Sequence, residues 1–342
     1  MKPLINPGCR LIRASVSRIF LAALVFSVAV ARAQNCQTSA DLDDATRSAL
    51  TAAGQRYFAM AAKGDAATLR QNAVASLASD FSGIEARIKD HQDDLTGSQA
   101  VAKAVFLLET EGKDPIPHAE FLCGVFGKNG QTSGSAAFYF DSLAPGHYAV
   151  VLLDATSPHA RTNFSVILQQ AGTDWKLADL YVGPAQIAGH DSDWFAARAR
   201  DYKSKGQVHN AWLFYLEARS LVSPLSFMST LATDRLYDEL QNVQPADIPV
   251  SGKTADLAAG TATYKLTALF PAAVGNDVDL IVKYQAADVT STNQAYKNNV
   301  SVIKALVAKY PEVRDAFAGV VARAVDPSGR DYGTLLAMKD IK

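Results

Sequence analysis

Two periods of hydrophobicity divide the chain. Over 41–62, Leu50, Tyr57, Phe58 and Met60 recur at near-helical spacing among alanines, and Lys63-Gly64-Asp65 closes the segment with a glycine suited to the left-handed C-terminal position. The pattern predicts a helix there, a second over 66–78, and a third over 98–111 that Pro115 and Pro117 would end. Beyond those prolines the period falls to two. Apolar runs at 120–126, 136–140, 148–153, 163–170 and 175–182 are separated by turn residues such as Lys128-Asn129-Gly130 and Ala144-Pro145-Gly146. Helices followed by an antiparallel meander predict an α+β class, with one sheet face packed on the helices.

After Gly183-Pro184 the helical period returns, over 193–203, over 208–221 and again over 225–240. Residues 244–260, rich in turn-forming and small residues, read as a linker. Strands are expected at 261–270 and 279–284, a helix at 293–310 with Val300, Ile303, Leu306 and Val307 on one stripe, and strands at 316–325 and 332–338 around the Pro327-Ser328-Gly329 turn. The resulting map has a leader at 1–33, an α+β domain at 34–186, a helical segment at 187–243, the linker, and a second small α+β domain at 261–342.

Small motifs sharpen the first half. Tyr57-Phe58-Ala59-Met60-Ala61-Ala62-Lys63-Gly64-Asp65, then Ser79-Asp80-Phe81, then the strand Trp175-Lys176-Leu177-Ala178-Asp179-Leu180-Tyr181-Val182 follow one another in an order that resembles the cone-shaped α+β family named for nuclear transport factor two. The resemblance covers 41–184. It implies a curved sheet and a long helix enclosing a pocket, which holds a substrate in some members and is merely packed in many others, so it supplies no function. In 191–224, Tyr202, Gly206, Ala211, Tyr215 and Ala218 resemble the second half of a tetratricopeptide repeat, although Phe195 stands where that motif has Trp and Arg198-Ala199 replaces Leu-Gly. A single such hairpin reads as a docking element, because it lacks the stacked neighbours of a repeat surface.

Composition adds compartment. The chain has 342 residues, 49% hydrophobic and 20% charged, which fits a folded protein. Its first 33 residues contain Lys2, Arg10, Arg13, Arg18 and Arg32 and no acid, and an apolar run over 19–30 ends before Ala31-Arg32-Ala33. That is the pattern of a secretory signal peptide cleaved between Ala33 and Gln34, with an apolar core well short of the roughly 20 residues that span a bilayer. Export to the periplasm or the exterior is the expectation, with no membrane-spanning segment after cleavage. Cleavage would leave 28 Lys and Arg against 34 Asp and Glu, a charge of -6 in place of -1. Such a chain has no general attraction to nucleic acid or an anionic membrane. Cys36 and Cys123 remain, either as a disulfide or as a terminal thiol and a buried small hydrophobe.

Chemistry is sparse. The histidines at 91, 118, 147, 159, 190 and 209 lie singly, with no metal-ligand spacing, so neither a metal nor a cofactor is expected. Ser301-Val302-Ile303-Lys304 lacks the companions of a serine–lysine nucleophile site, and Ser251-Gly252-Lys253-Thr254 lacks the earlier glycine of a phosphate-binding loop, with Asp247 in its place. Tyr139, His147, Asp179 and Tyr181 alternate with aromatic and apolar residues on expected strands and are the candidate ligand-binding residues. Their cavity is expected between the helix at 41–62 and the concave sheet face. The expected function is an exported, non-enzymatic protein that binds a small apolar ligand or a protein partner. The alternative is a pocket enzyme of hydrolase, isomerase or dehydratase type, with Asp179 as its acid or base.

Overall fold

The computed structural model describes residues 34–342 apart from Asn129 and Ser251; the leader expected over 1–33 lies outside the described residues. Strand β1 (Gln34–Thr38) leads into α1 (Asp44–Ala62), which starts where the Asp43 carboxylate accepts the Thr46 backbone N–H at 2.9 Å. Short helices follow: α2 (Ala66–Gln71), α3 (Ala75–Ser79), α4 (Ser82–Asp90) and α5 (Gln92–Leu95). The meander comprises β2 (Gln99–Thr110), β3 (Ile116–Cys123), the two-residue β4 (Phe126–Gly127) and β5 (Gly130–Gln131), β6 (Ala136–Leu143), β7 (Gly146–Thr156), β8 (Arg161–Ala171) and β9 (Asp174–Pro184).

The helix expected over 98–111 is therefore strand β2. Its Ala, Leu, Lys and Glu content favours a helix locally, but its partners decide otherwise, since β1 and β7 pair with it on its two edges. Buried Phe106, Leu108 and Thr110 alternate there with the less buried Leu107 and Glu109.

The main sheet runs β1-β2-β7-β8-β9 and is antiparallel throughout. One face carries Val151, Leu153, Phe164 and Val166 against Leu50, Tyr57, Phe58 and Ala61 of α1. Gly54 lets α1 approach this closely, since a Cβ there would stand 2.5 Å from Val151 Cγ1. This side is filled by side chains, which corrects the expectation of a cavity between 41–62 and the sheet. The opposite face presents Phe106, Leu108, Val150 and Leu152 to Phe121, Cys123 and Phe138 of a second sheet, so the order is helix, sheet, sheet. Cys36 of β1 and Cys123 of β3 are disulfide-bonded, with Cα atoms 5.0 Å apart.

The second half contains α6 (Ser192–Ser204), α7 (Val208–Val222), β10 (Met228–Thr230), α8 (Leu231–Gln241), β11 (Ala255–Ala259), β12 (Ala262–Val274), β13 (Asp277–Gln285), α9 (Thr292–Lys309), β14 (Gly319–Val325) and β15 (Asp331–Ala337). Strand β10 joins the second sheet, in the order β10-β6-β3, so the helical segment is stitched into the first half. The remaining strands form a sheet in the order β11-β12-β13-β14-β15, with α9 crossing between the parallel pair β13 and β14.

The domain map also changes. The α6–α7 hairpin and the C-terminal sheet bury one common core, with Phe214 and Phe317 rings 5.6 Å apart and Tyr202 Oη donating to the Asp315 carbonyl at 3.1 Å. Residues 244–260 are not a free linker. Ile248 and Pro249 are buried, Tyr310 Oη donates to the Asp247 carbonyl at 2.9 Å, and 255–259 form the edge strand β11. Small residues in this stretch serve tight packing and strand pairing as readily as they serve flexibility. Among the described residues no helix is long and apolar enough to cross a membrane.

Candidate functional site

The four candidate residues do not converge. On edge strand β9, Tyr181 Oη donates to Asp179 Oδ2 at 2.6 Å, and Arg87 of α4 donates to Asp179 Oδ1 at 3.3 Å and to the Leu180 carbonyl. The Arg87 guanidinium also lies 4.8 Å from the centre of the Tyr181 ring. Burial pushes the Tyr181 phenol well above its ordinary range, and the Asp179 carboxylate adds to that shift. Phe227 closes over Tyr181 with ring centres 5.5 Å apart. This cluster clasps the edge strand.

His147 lies elsewhere, with its Nδ1 3.1 Å from Glu109 on the neighbouring strand. Tyr139 is half exposed on the outer face of the second sheet. Burial and the nearby carboxylates of Glu120 and Asp234 raise its phenol. Among the described residues no group of three or more His, Cys, Asp and Glu side chains is placed to hold a metal ion.

What the fold does build is a crevice over the far end of the same sheet face, walled by α6, α7 and α8. Its polar end, about 390 Å³, is lined by Lys103, Asp154, Arg161, Arg200, Arg235 and Glu239 among others. Its apolar end, about 370 Å³, is lined by Ala104, Phe106, Leu152, Met228 and Leu231 together with hydroxyl side chains. Lys103, Val222, Ala232 and Arg235 border both ends, so the two cavities adjoin.

Local structure explains how each wall is held. The register of β2 on β7 shifts between Ala102 and Ala104, leaving Lys103 as the extra residue of a bulge; such a bulge re-aims its side chain. Lys103 Nζ lies 3.4 Å from Asp154 on β7. Buried Asn163 of β8 donates to the Leu221 carbonyl at 3.0 Å and to the Pro184 carbonyl at 3.3 Å, which ties the sheet to the end of α7. Helix α8 starts on a reciprocal cap in which Thr230 N donates to Thr233 Oγ1 at 2.8 Å and Thr233 N to Thr230 Oγ1 at 3.3 Å. Arg200 and Glu239 form a two-pronged pair at 2.8 and 2.7 Å that joins α6 to α8. Arg200 holds the Glu239 carboxyl below its usual range, with a further contribution from Tyr215.

Once these pairs are assigned, two cations, Arg161 and Arg235, and two carboxylates, Asp191 and Asp193, remain. The guanidinium groups of Arg161 and Arg235 have no hydrogen bond or ion pair among the described residues. Of the acids on the wall, Asp154 faces Lys103, Glu239 faces Arg200, and Asp191 caps the Trp194 N–H at 3.1 Å. Asp193 places its field on Arg200. On the same sheet face, buried Ser165 lies between Leu152 and Tyr181 in register, and its hydroxyl has no partner among the described residues.

No protein-family model, curated protein or solved structure matches the chain. The crevice residues escaped sequence reasoning because they carry no shared local motif. Lys103 sits in an expected helix, Arg161 at a strand start and Arg235 within a helical turn, and only tertiary packing brings them to one wall.

Proposed function

We propose that the chain is an exported, non-enzymatic binding protein whose ligand is a small amphiphilic molecule lying in this crevice. The observation that carries the reading is the junction of a charged cavity and an apolar cavity across Lys103, Val222, Ala232 and Arg235. Concave sites of a few hundred Å³ with an apolar wall and a few placed polar groups are the usual form of small-molecule sites. The charged residues of the crevice are Lys, Arg, Asp and Glu, half of them paired with one another, and no His or Cys lines either end. A walled site of this kind supports holding a ligand more than transforming it. The export half of the reading rests on the leader pattern at 1–33. The first domain's resemblance to the nuclear transport factor two-like family belongs to this proposal as an account of its origin, and carries no part of the site.

The test uses 1-anilinonaphthalene-8-sulfonate, an amphiphilic dye that brightens in apolar surroundings. Ala232 is exposed and borders both ends, so Ala232→Trp should block the junction without disturbing the core. Dye affinity is expected to fall at least tenfold while the far-ultraviolet circular dichroism and melting temperature stay unchanged. Equal dye affinity in the folded variant would remove the crevice as the binding site.

A further inference from the structure

The charge arrangement of the crevice carries the reading one step further, to the chemistry of the ligand. We propose that the crevice takes a single-chain amphiphile with an anionic head group, its head held by Arg161 and Arg235 and its chain laid against Phe106, Leu152 and Met228. The inference rests on the crevice being the binding site and adds the sign of the head group and the shape of the tail.

Three observations converge on it. Arg161 and Arg235 line the polar end without a counter-charge of their own, whereas the other two cations there are matched by Asp154 and Glu239. A guanidinium presents a planar fork of donors that fits a carboxylate or phosphate, and these two exposed guanidinium groups are free to turn toward one. The second observation is polarity. Asp193 is the one acid on that wall with no hydrogen bond among the described residues, and it lies within the field of Arg200, which offsets its attraction for a cationic head. The third is the wall beyond Arg235. Arg235 itself borders the apolar end, so a head group bound at its guanidinium starts where the apolar surface of Phe106, Leu152 and Met228 begins. A ligand anchored there with a linear apolar tail uses both ends at once; a compact anion leaves the apolar end unfilled.

The experiment measures binding of decanoate, decyl phosphate, 1-decanol and decyltrimethylammonium to the full mature chain by isothermal titration calorimetry. It is repeated on the doubly substituted Arg161→Gln, Arg235→Gln variant. Both anions are expected to bind at least tenfold more tightly than decanol, the scale of hydrogen bonds to a charged group. The advantage should shrink with added salt, and the double variant should bring the anions to the level of decanol. The anion that binds more tightly assigns the head group as carboxylate or phosphate, and either order supports the proposal. Equal affinity for decanoate, decyl phosphate and decanol would overturn the anionic head group while leaving the crevice reading in place. Tighter binding of the ammonium compound would also overturn it. Absence of binding by all four would overturn both readings. If the double variant fails to fold, the four-ligand comparison on the unaltered chain still decides the sign.

Discussion

Tyr181 Oη donates to Asp179 Oδ2 at 2.6 Å, two residues along the same edge strand, and this contact turns two candidate site residues into one structural clasp. Arg87 and the Leu180 N–H share the other carboxylate oxygen, the latter at 2.7 Å, so both Asp179 oxygens accept hydrogen bonds from within the fold.

Tyr181→Phe removes the donor and is expected to lower stability by about 1.5–3 kcal/mol, the range for a hydrogen bond to a charged group after solvent exchange. Asp179→Asn should cost less than about 1 kcal/mol through its ion pair, because Arg87 and Asp179 are each about one-third exposed (32% and 34%) and solvent screens them. Urea denaturation measures both. Neither substitution should alter dye or decanoate affinity; loss of ligand binding in Tyr181→Phe would return this cluster to the functional site.

Glu217 on α7 predicts a pH dependence. It is 7% exposed with no hydrogen-bond partner among the described residues, and burial pushes its carboxyl up to about 7. The folded state therefore holds the proton more tightly than the unfolded chain, whose value is near 4.5. The folded state gains nothing from this group below the unfolded value. Stability is lost as pH rises from about 4.5 through 7, and the loss is complete above that, amounting to about 3 kcal/mol by linkage. Glu217→Gln should remove this slope and be more stable than the unaltered chain at pH 8. Denaturation midpoints of the two proteins at pH 5 and pH 8 measure it; parallel pH profiles would contradict it.

The Cys36–Cys123 bond closes a separation of 87 residues and ties β1 to the second sheet. In the chain-entropy account a loop of that size contributes about 4–5 kcal/mol. Replacing both cysteines with alanine should lower the denaturation midpoint accordingly, and non-reducing peptide mapping of the intact protein should recover the two cysteines in one cross-linked fragment. Two alkylated thiols in the untreated protein would refute it.

The residues that were legible in the sequence are those whose pattern is local. The stripe of Leu50, Tyr57 and Phe58 declares one helix face and the short continuous apolar runs of β7 and β8 mark strands covered on both faces, and α1 and the meander followed from them. Strand β2 was misread because Ala, Leu, Lys and Glu suit a helix, while its fate is set by β1 and β7, one earlier and one much later in the chain. Strand β11 hides in Ala255-Asp256-Leu257-Ala258-Ala259, where small residues signal a linker until β12 offers a partner. The placement of Tyr181 and Asp179 on one face was readable as alternation, but periodicity says nothing of Phe227 and Arg87, which seal that face. The crevice was invisible for the same reason. Its floor comes from β2, β7 and β8 and its walls from three later helices.

The most direct measurement is the crystal structure of the protein grown with 10-bromodecanoate, with bromine located by its anomalous scattering. The account predicts a carboxylate beside Arg161 and Arg235 and a single bromine peak in the apolar end near Phe106, Leu152 and Met228. A bromine peak elsewhere on the molecule, with the crevice unfilled at saturating ligand, would contradict it.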